Sequence, residues 1–160
     1  MDKTRDRMLA AVLLLALFAS VGCDAGRDPS AQFHAGRESL MRGQFATAIE
    51  SLDGYLAEHP HGELASRASF LMAKAYIGLN EIDNARSQFE RTIRDYPDTN
   101  EAHKSQYKLA FLSLLEGDDD DARERFARIA DSPAGTLVPE AMAMIRYLDA
   151  RAQRPVGGEN

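Results

Sequence analysis

The chain has 160 residues, of which 44% are hydrophobic and 28% charged, and this is ordinary for one globular domain. Its formal net charge of −6 disfavours a partner of the nucleic-acid class, because proteins that bind a phosphate backbone carry a basic excess. The single cysteine, Cys23, excludes an intramolecular disulfide and a cysteine-based zinc cluster. We therefore expect one folded unit that does not bind nucleic acid.

The N-terminal segment has the layout of a secretory signal peptide. Three basic residues precede an uncharged apolar run from Met8 to Ala19, which is shorter than the ~20 residues that a membrane-spanning helix needs. The run ends in small residues before Cys23, and this resembles the lipobox of bacterial lipoproteins, although Ser20 stands where the lipobox usually has Leu. The resemblance predicts a signal peptide over residues 1–22 and acylation of Cys23. The alternatives are an ordinary signal peptide with an incidental cysteine, or an uncleaved membrane anchor.

Acylation would attach the chain to a membrane. Each buried methylene of an acyl chain contributes ~0.8 kcal/mol, so several chains, such as palmitate, make attachment effectively permanent. Asp24 resembles the signal that retains lipoproteins of enteric bacteria in the inner membrane, but other bacterial groups do not follow that rule. We therefore expect a periplasm-facing lipoprotein of the cell envelope, in either membrane, with residues 23–29 as its lipidated cysteine and short tether.

The stretch Asn80–Pro97 recurs 37 residues away on either side. Three positions recur at this interval. A turn residue is Gly43, Asn80 or Gly117, a small residue is Ala48, Ala85 or Ala122, and a large apolar residue is Leu52, Phe89 or Phe126. Pro60 and Pro97 close the first two copies, and Pro133 closes the third one residue early. Self-similarity at a fixed period is typical of solenoids, in which each unit buries its apolar face against its neighbours.

Apolar residues spaced by three and four predict helices between these breaks. We predict seven, at about 30–42, 44–58, 63–79, 81–95, 99–116, 118–131 and 138–152. Gly43, Asn80 and Gly117 are predicted to adopt the left-handed conformation that ends a helix, and Asp98 and Thr99 offer an N-cap. The polar residues 153–160 are predicted to form a disordered tail.

The repeats resemble the tetratricopeptide repeat (TPR). The family motif of a small residue, a turn residue, Ala, an aromatic or Leu, and Pro corresponds to Gly36, Gly43, Ala48, Leu52 and Pro60, and Ala73 and Ala110 stand at the small position of the later copies. Two departures are a period of 37 instead of 34 and a polar residue at the tryptophan-like position, which is Gln32, Ser69 or Gln106. The resemblance implies an all-α, right-handed α-solenoid of three helix pairs, at 30–62, 63–98 and 99–137, with a capping helix at 138–152.

The lipobox and the long linkers resemble bacterial envelope TPR lipoproteins. That group includes the assembly lipoprotein of the outer-membrane β-barrel machinery (BamD-like), the Tol-associated coordinator of cell division and the pilus-secretin assembly lipoprotein. The resemblance implies a non-enzymatic adaptor that recruits a protein or peptide partner at the envelope.

In TPR arrays the first helix of each pair lines a concave groove. The inward positions here carry an aromatic row flanked by cations, which suits a peptide that bears carboxylates. The candidate partner-binding residues are Phe33, Arg37, Arg67, Phe70, Lys74, Lys104, Tyr107 and Phe111. An aromatic row at helical spacing is also what a buried core requires, and exposed cations on helices are commonly just a solvated face, so both interpretations stand.

The charged clusters indicate structural roles more than catalysis or metal binding. Asp118–Asp121 lies where a helix begins, and carboxylates there cap the helix; the spaced ligands of a calcium loop are missing. His59 and His61 lack a third metal ligand, and no nucleophile or phosphate-loop motif is present, so we predict neither an enzyme nor a cofactor. Glu90 with Arg94 and Glu124 with Arg128 are predicted ion pairs on helix surfaces.

Two further interpretations remain open at this point. The repeats could mediate self-association, with the open end of the solenoid or the helix around Met142–Leu148 forming a homodimer. Alternatively, the chain could be an accessory protein of a cell-wall or polysaccharide enzyme system.

Overall fold

The computed structural model describes residues 28–132 and 137–153, and within these ranges all regular structure is helical. The helices are α1 (Ala31–Met41), α2 (Phe45–Glu58), α3 (Ala65–Gly78), α4 (Ile82–Asp95), α5 (Asn100–Leu115), α6 (Asp119–Ala130) and α7 (Val138–Ala152). Each predicted helix is present, with its ends within two residues of the prediction. The predicted signal peptide, Cys23, Pro133 and residues 154–160 lie outside the described residues.

The helices form three antiparallel pairs that stack in chain order. Helix α1 packs on α2, α3 on α4 and α5 on α6, while α2 packs on α3, α4 on α5, and α6 on α7. The first helices also contact one another, α1 with α3 and α3 with α5. Each pair thus packs mainly against its sequence neighbours, which is the arrangement of a helical repeat array.

The three turns within the pairs share one backbone geometry. Gly43, Asn80 and Gly117 have positive φ values of 75°, 61° and 84°, as predicted for helix ends. At the first turn, the Gly43 N–H donates to the Leu40 carbonyl at 3.1 Å and the Gln44 N–H donates to the Ser39 carbonyl at 2.9 Å. The same two bonds recur at the other turns. Each turn is therefore a Schellman motif, which lets the chain reverse directly into the next helix.

Two of the predicted N-caps are also present. The Thr99 Oγ1 accepts a hydrogen bond from the Ala102 N–H at 3.2 Å, and the Asp118 Oδ1 accepts one from the Asp121 N–H at 2.9 Å. The first turn of α6 holds further carboxylates, which the helix dipole stabilises. The acidic run therefore caps a helix.

The core is a chain of three clusters that each join one pair to the next element. Phe33, Leu52 and Tyr55 pack in the first cluster, between α1, α2 and α3. Phe89 centres the second, between α3, α4 and α5, and Phe126 centres the third, between α5, α6 and α7. The small residues of the motif are buried where paired helices approach: Gly36, Ala48, Ala73, Ala85, Ala110 and Ala122.

A closed ring of hydrogen bonds lies inside the middle pair. The Gln88 Nε2 donates to the Ser69 Oγ at 2.8 Å, the Ser69 and Thr92 hydroxyls are 2.7 Å apart, and the Thr92 hydroxyl donates to the Gln88 carbonyl at 2.9 Å. All three residues are buried. Ser69 occupies the tryptophan-like position, so polar side chains fill a space that an aromatic ring takes in ordinary repeats.

Helix α7 stands in the register of a fourth first helix. Residues 101–115 of α5 correspond at an interval of 37 to 138–152, which is the range of α7. Ion pairs between Arg123 and Asp149 (2.6 Å) and between Arg151 and Asp119 (3.3 Å) join α7 to α6. At the position where the other first helices have a buried small residue, α7 has Tyr147, which is 52% exposed. Helix α7 thus packs on the third pair in the position that a further first helix would take.

In the residues that the structure describes, no helix is long and apolar enough to cross a membrane.

Candidate binding surface

The candidate residues lie on the first helices of the pairs, α1, α3 and α5. Because α1 contacts α3 and α3 contacts α5, side chains at equivalent positions form rows across neighbouring helices. One row holds the aromatic residues Phe33, Phe70 and Tyr107, and a second holds Arg37, Lys74 and Phe111. We call this set of helices the first-helix surface.

The aromatic residues of α1 and α3, Phe33 and Phe70, pack largely in the core. Phe33 is 1% exposed and packs edge to face on Tyr55, with ring centroids 5.8 Å apart. Phe70 is half-buried against Phe89, at 5.7 Å between centroids. Phe33 has no free surface for a ligand, which corrects its predicted role as a groove contact. The reason is that its ring fills the space between α1 and α2.

Tyr107 and Phe111 form a half-buried aromatic cluster with Phe126. Their ring centroids lie 5.5 Å apart, and both rings pack on Phe126, at 5.3 Å and 6.0 Å. Burial, and secondly the charge of Glu140, raises the pKa of the Tyr107 hydroxyl above its ordinary value. This hydroxyl is thus protonated at neutral pH and can donate a hydrogen bond, while both rings keep part of their surface open.

The cations of the surface fall into two groups. Lys104 lies 3.7 Å from Glu101, in a partly exposed ion pair. In the described part of the chain, Arg37, Arg67 and Lys74 make no ion pair. The Arg67 guanidinium carbon lies 6.0 Å from the centroid of the Phe33 ring, at the limit for a cation–π contact. The basic character of the surface therefore resides on α1 and α3.

Arg37 is the most unusual of these residues. Its side chain is half-buried, and its Nε is buried without a hydrogen-bond partner in the part of the chain that the structure describes. A buried donor left unsatisfied costs about 1–3 kcal/mol, and more when the group is charged. Because the Nε is itself buried, a carboxylate or carbonyl oxygen from a ligand would satisfy this donor once the half-buried side chain turns toward solvent.

The structure also shows features that the sequence interpretation missed. Gln32, one turn before Gly36, has a buried Oε1 without a partner among the described residues. The sequence feature that indicates this buried polar group is the polar residue at the tryptophan-like position of the repeat. One terminal nitrogen of Arg86 on α4 donates to both carboxylate oxygens of Glu116 at the end of α5, at 2.6 and 2.7 Å; no local spacing predicts this ion pair because 30 residues separate the partners.

The predicted ion pairs on the helix surfaces have mixed outcomes. Arg128 lies 3.1 Å from Glu124, as predicted. The prediction for Arg94 was wrong, because its Nε pairs with the adjacent Asp95 at 3.0 Å instead of with Glu90. Across residues 28–132 and 137–153, no group of three His, Asp or Glu side chains is placed to hold a metal ion.

Comparisons with known proteins agree with this architecture. Residues 26–137 match the family YfiO, described as outer membrane lipoprotein. Two solved structures of TPR-like repeats from a Podosopora anserina protein described as a putative kinesin light chain, one of them carrying a point substitution, are similar in fold. Both are 17% identical, covering 84% of this chain and 81% of theirs, with TM-scores of 0.52 for the substituted form and 0.51 for the other. No curated protein matches the chain.

Proposed function

Because the chain belongs to the YfiO family of outer membrane lipoproteins, we propose that it is a non-enzymatic scaffold that binds an envelope protein or peptide along its first-helix surface. Repeats of the TPR type form a protein-interaction fold, so this architecture supports a role in holding a partner. The partner segment that suits the surface is extended or helical and carries Asp or Glu side chains.

One observation carries this proposal, namely the buried and unpaired Nε of Arg37. Arg67 and Lys74 on the neighbouring α3 are exposed and make no ion pair in the described part of the chain. An acidic partner segment would supply the missing acceptor to Arg37 and face two further cations. Half-buried Phe70, Tyr107 and Phe111 offer apolar contacts beside them, and interface energy is commonly concentrated at such anchors.

Photo-crosslinking from the position of Arg67 in the chain expressed in its own cells would identify the partner. Replacing Arg37 and Lys74 together by Glu should weaken binding of that partner about tenfold or more, since each new carboxylate would face a carboxylate of the acidic partner segment. Arg94→Glu on α4 is the matched control, because Arg94 is an exposed cation on a second helix. Unchanged affinity of a folded Arg37→Glu/Lys74→Glu variant would reject this surface as the binding site.

We further propose that the chain is anchored through acylated Cys23 and faces the periplasm. The support is the lipobox-like sequence together with the description of the family. Labelling with a palmitate analogue should mark the wild-type chain and leave Cys23→Ser unlabelled. Membrane fractionation would then decide between the outer membrane, which the family description favours, and the inner membrane, which Asp24 favours. Labelling of the Cys23→Ser chain would reject the anchor.

A second candidate function is self-association through α7. Met142 and Tyr147 on α7 are 48% and 52% exposed, and both are large hydrophobic side chains. A homodimer would cover them. Sedimentation that shows only monomer at high concentration would exclude this candidate, and dissociation of a dimer by Tyr147→Glu would support it.

A further inference from the structure

A cavity of about 290 Å³ opens between α4, α5 and α6. Its apolar lining comes from Ile93, Leu109 and Ile129, one residue from each helix. Its polar lining comes from Gln106, Arg125, Arg128 and Ser132, which are all able to donate hydrogen bonds. The volume lies at the small end of the range for ligand pockets, so the cavity suits a single apolar group and not a long segment.

The internal repeat shows why the cavity forms in the third pair. At an interval of 37, Gln106, Arg125 and Ile129 correspond to Ser69, Gln88 and Thr92, which close the same space in the middle pair with their hydrogen-bonded ring. In the first pair the position of Ile129 is taken by Tyr55, which is 4% exposed and fills the space with its ring. The third pair has neither the hydrogen-bonded ring nor the tyrosine ring, because Ile129 lacks a hydroxyl and the Arg125 Nε donates to Asp121 on its own helix.

Arg125 is held in a fixed orientation at the mouth of this cavity. Its Nε donates to the Asp121 Oδ2 at 2.5 Å, and the Ser113 hydroxyl donates to the same oxygen at 2.5 Å. The terminal nitrogens of Arg125 have no hydrogen bond within the described residues. Arg128, one turn further along α6, uses one terminal nitrogen for Glu124 at 3.1 Å and is 64% exposed. Two guanidinium groups thus keep donors available beside an apolar floor.

We propose that this cavity binds a carboxylate attached to an apolar group. The apolar part lies on Ile93, Leu109 and Ile129, and the carboxylate accepts hydrogen bonds from Arg125 and Arg128, with Gln106 beside them. Guanidinium groups bind carboxylates with charge-assisted hydrogen bonds, whereas a neutral ligand would leave most of these donors in water. The site lies between α4, α5 and α6, and its lining includes none of the residues proposed for partner binding on the first-helix surface.

Such a carboxylate has two sources, a small amphiphilic acid or the C-terminal end of a peptide. Two pairs of ligands distinguish these sources. Octanoate is compared with uncharged 1-octanol, and acetyl-Ala-Ala-Leu is compared with the same peptide amidated at its C-terminus. Binding to the ¹⁵N-labelled full chain carrying Cys23→Ala is followed from amide shifts of α5 and α6. At least one free acid should saturate, with its uncharged match about tenfold weaker or more. Saturation by neither acid, or equal binding of acid and uncharged match, overturns the proposal.

Matched variants test the residues. Arg128→Gln should weaken binding of the acid about tenfold, while Arg91→Gln should not, because Arg91 is the equivalent residue of the middle pair. The variant Gln106→Ser/Arg125→Gln/Ile129→Thr copies the closed ring of the middle pair and should abolish binding. Retained affinity in a folded closing variant, or in Arg128→Gln, would place the ligand elsewhere and overturn the assignment.

Discussion

Gly36 lies directly against Leu52, so closely that a Cβ added at Gly36 would stand 2.6 Å from the Leu52 Cγ and 3.2 Å from the Ala48 carbonyl oxygen. The later pairs have Ala73 and Ala110 at this position, facing Phe89 and Phe126 instead of a leucine. The branched Cγ of leucine occupies the space that a methyl group would need. The first pair therefore requires glycine where the other two accept alanine.

Gly36→Ala should destabilise the fold. Overpacking costs about 1–3 kcal/mol, whereas the gain in helix propensity is about 1 kcal/mol, and Leu52 is fully buried and cannot swing away. We expect a net loss of about 1 kcal/mol in urea unfolding. Gly54→Ala is the control, because the three atoms nearest to its Cβ all belong to the flexible end of the Gln32 side chain, the closest at 3.3 Å. Equal effects of the two substitutions would contradict this interpretation.

Asn80→Gly should stabilise the protein by roughly 0.5–1 kcal/mol. Asn80 has a φ of 61°, which strains a residue with a Cβ, and the equivalent turns carry glycine at this position. Gly43→Ala should destabilise by about 1–2 kcal/mol from backbone strain alone, since nothing lies within 4 Å of its added Cβ. Urea unfolding measures both. A loss of stability in Asn80→Gly would show that the Asn side chain contributes more than the strain costs.

Ser69→Ala should cost about 1–3 kcal/mol, because it leaves the buried Gln88 amide without its acceptor. The triple variant Ser69→Ala/Gln88→Leu/Thr92→Val should cost less than the sum of its single substitutions, because the three side chains form one ring. Ser105→Ala is the control, since its hydroxyl donates only to the Glu101 carbonyl. Unfolding free energies of all variants test the coupling, and simple additivity would argue against a cooperative ring.

Asp121 should make the free energy of unfolding depend on pH under acidic conditions. Hydrogen bonds first from Arg125 and then from Ser113 lower the pKa of the Asp121 carboxyl in the folded state. Its contribution is therefore full above the unfolded value, about 3.9, and is lost as pH falls through the lower folded pKa. The stability difference between wild type and Asp121→Asn should be largest at pH 7 and shrink below about pH 4.

Asp120→Asn is the matched control for this pH experiment. Asp120 is exposed and lies in the same first turn of α6, so it shares the effect of the helix dipole but not the hydrogen bonds to Arg125 and Ser113. Urea unfolding between about pH 3 and pH 7 would compare the two variants. Parallel pH profiles for Asp120→Asn and Asp121→Asn would assign the effect to the dipole alone.

Leu148→Ala should destabilise the third pair by about 2–5 kcal/mol, because Leu148 is 3% exposed and packs in the cluster around Phe126. Met142→Ala, on the exposed side of the same helix, should change stability by less than about 0.5 kcal/mol. Hydrogen exchange of α5 and α6 amides would locate the loss. Unchanged protection in Leu148→Ala would mean that α7 does not stabilise the third pair.

The sequence by itself determined the features that depend on local backbone chemistry. The 37-residue period, the helices, the left-handed turns at Gly43, Asn80 and Gly117, and the caps at Thr99 and Asp118 all rest on residues a few positions apart. Such preferences act on the backbone directly, so a pattern of residue types is sufficient to predict them. The register of α7 follows from the same period.

The tertiary structure alone decided which of these side chains are free to act. Phe33 and Arg37 are one turn apart on the same face of α1, yet Phe33 packs with Leu52 and Tyr55 of α2 while the Arg37 Nε has no partner among the described residues. The ring at Ser69 and the cavity at Gln106 stand at equivalent positions of the repeat, and whether that space is closed depends on the side chains that meet there from α4 or α6. These outcomes depend on volumes and hydrogen bonds between helices, which residue spacing does not encode.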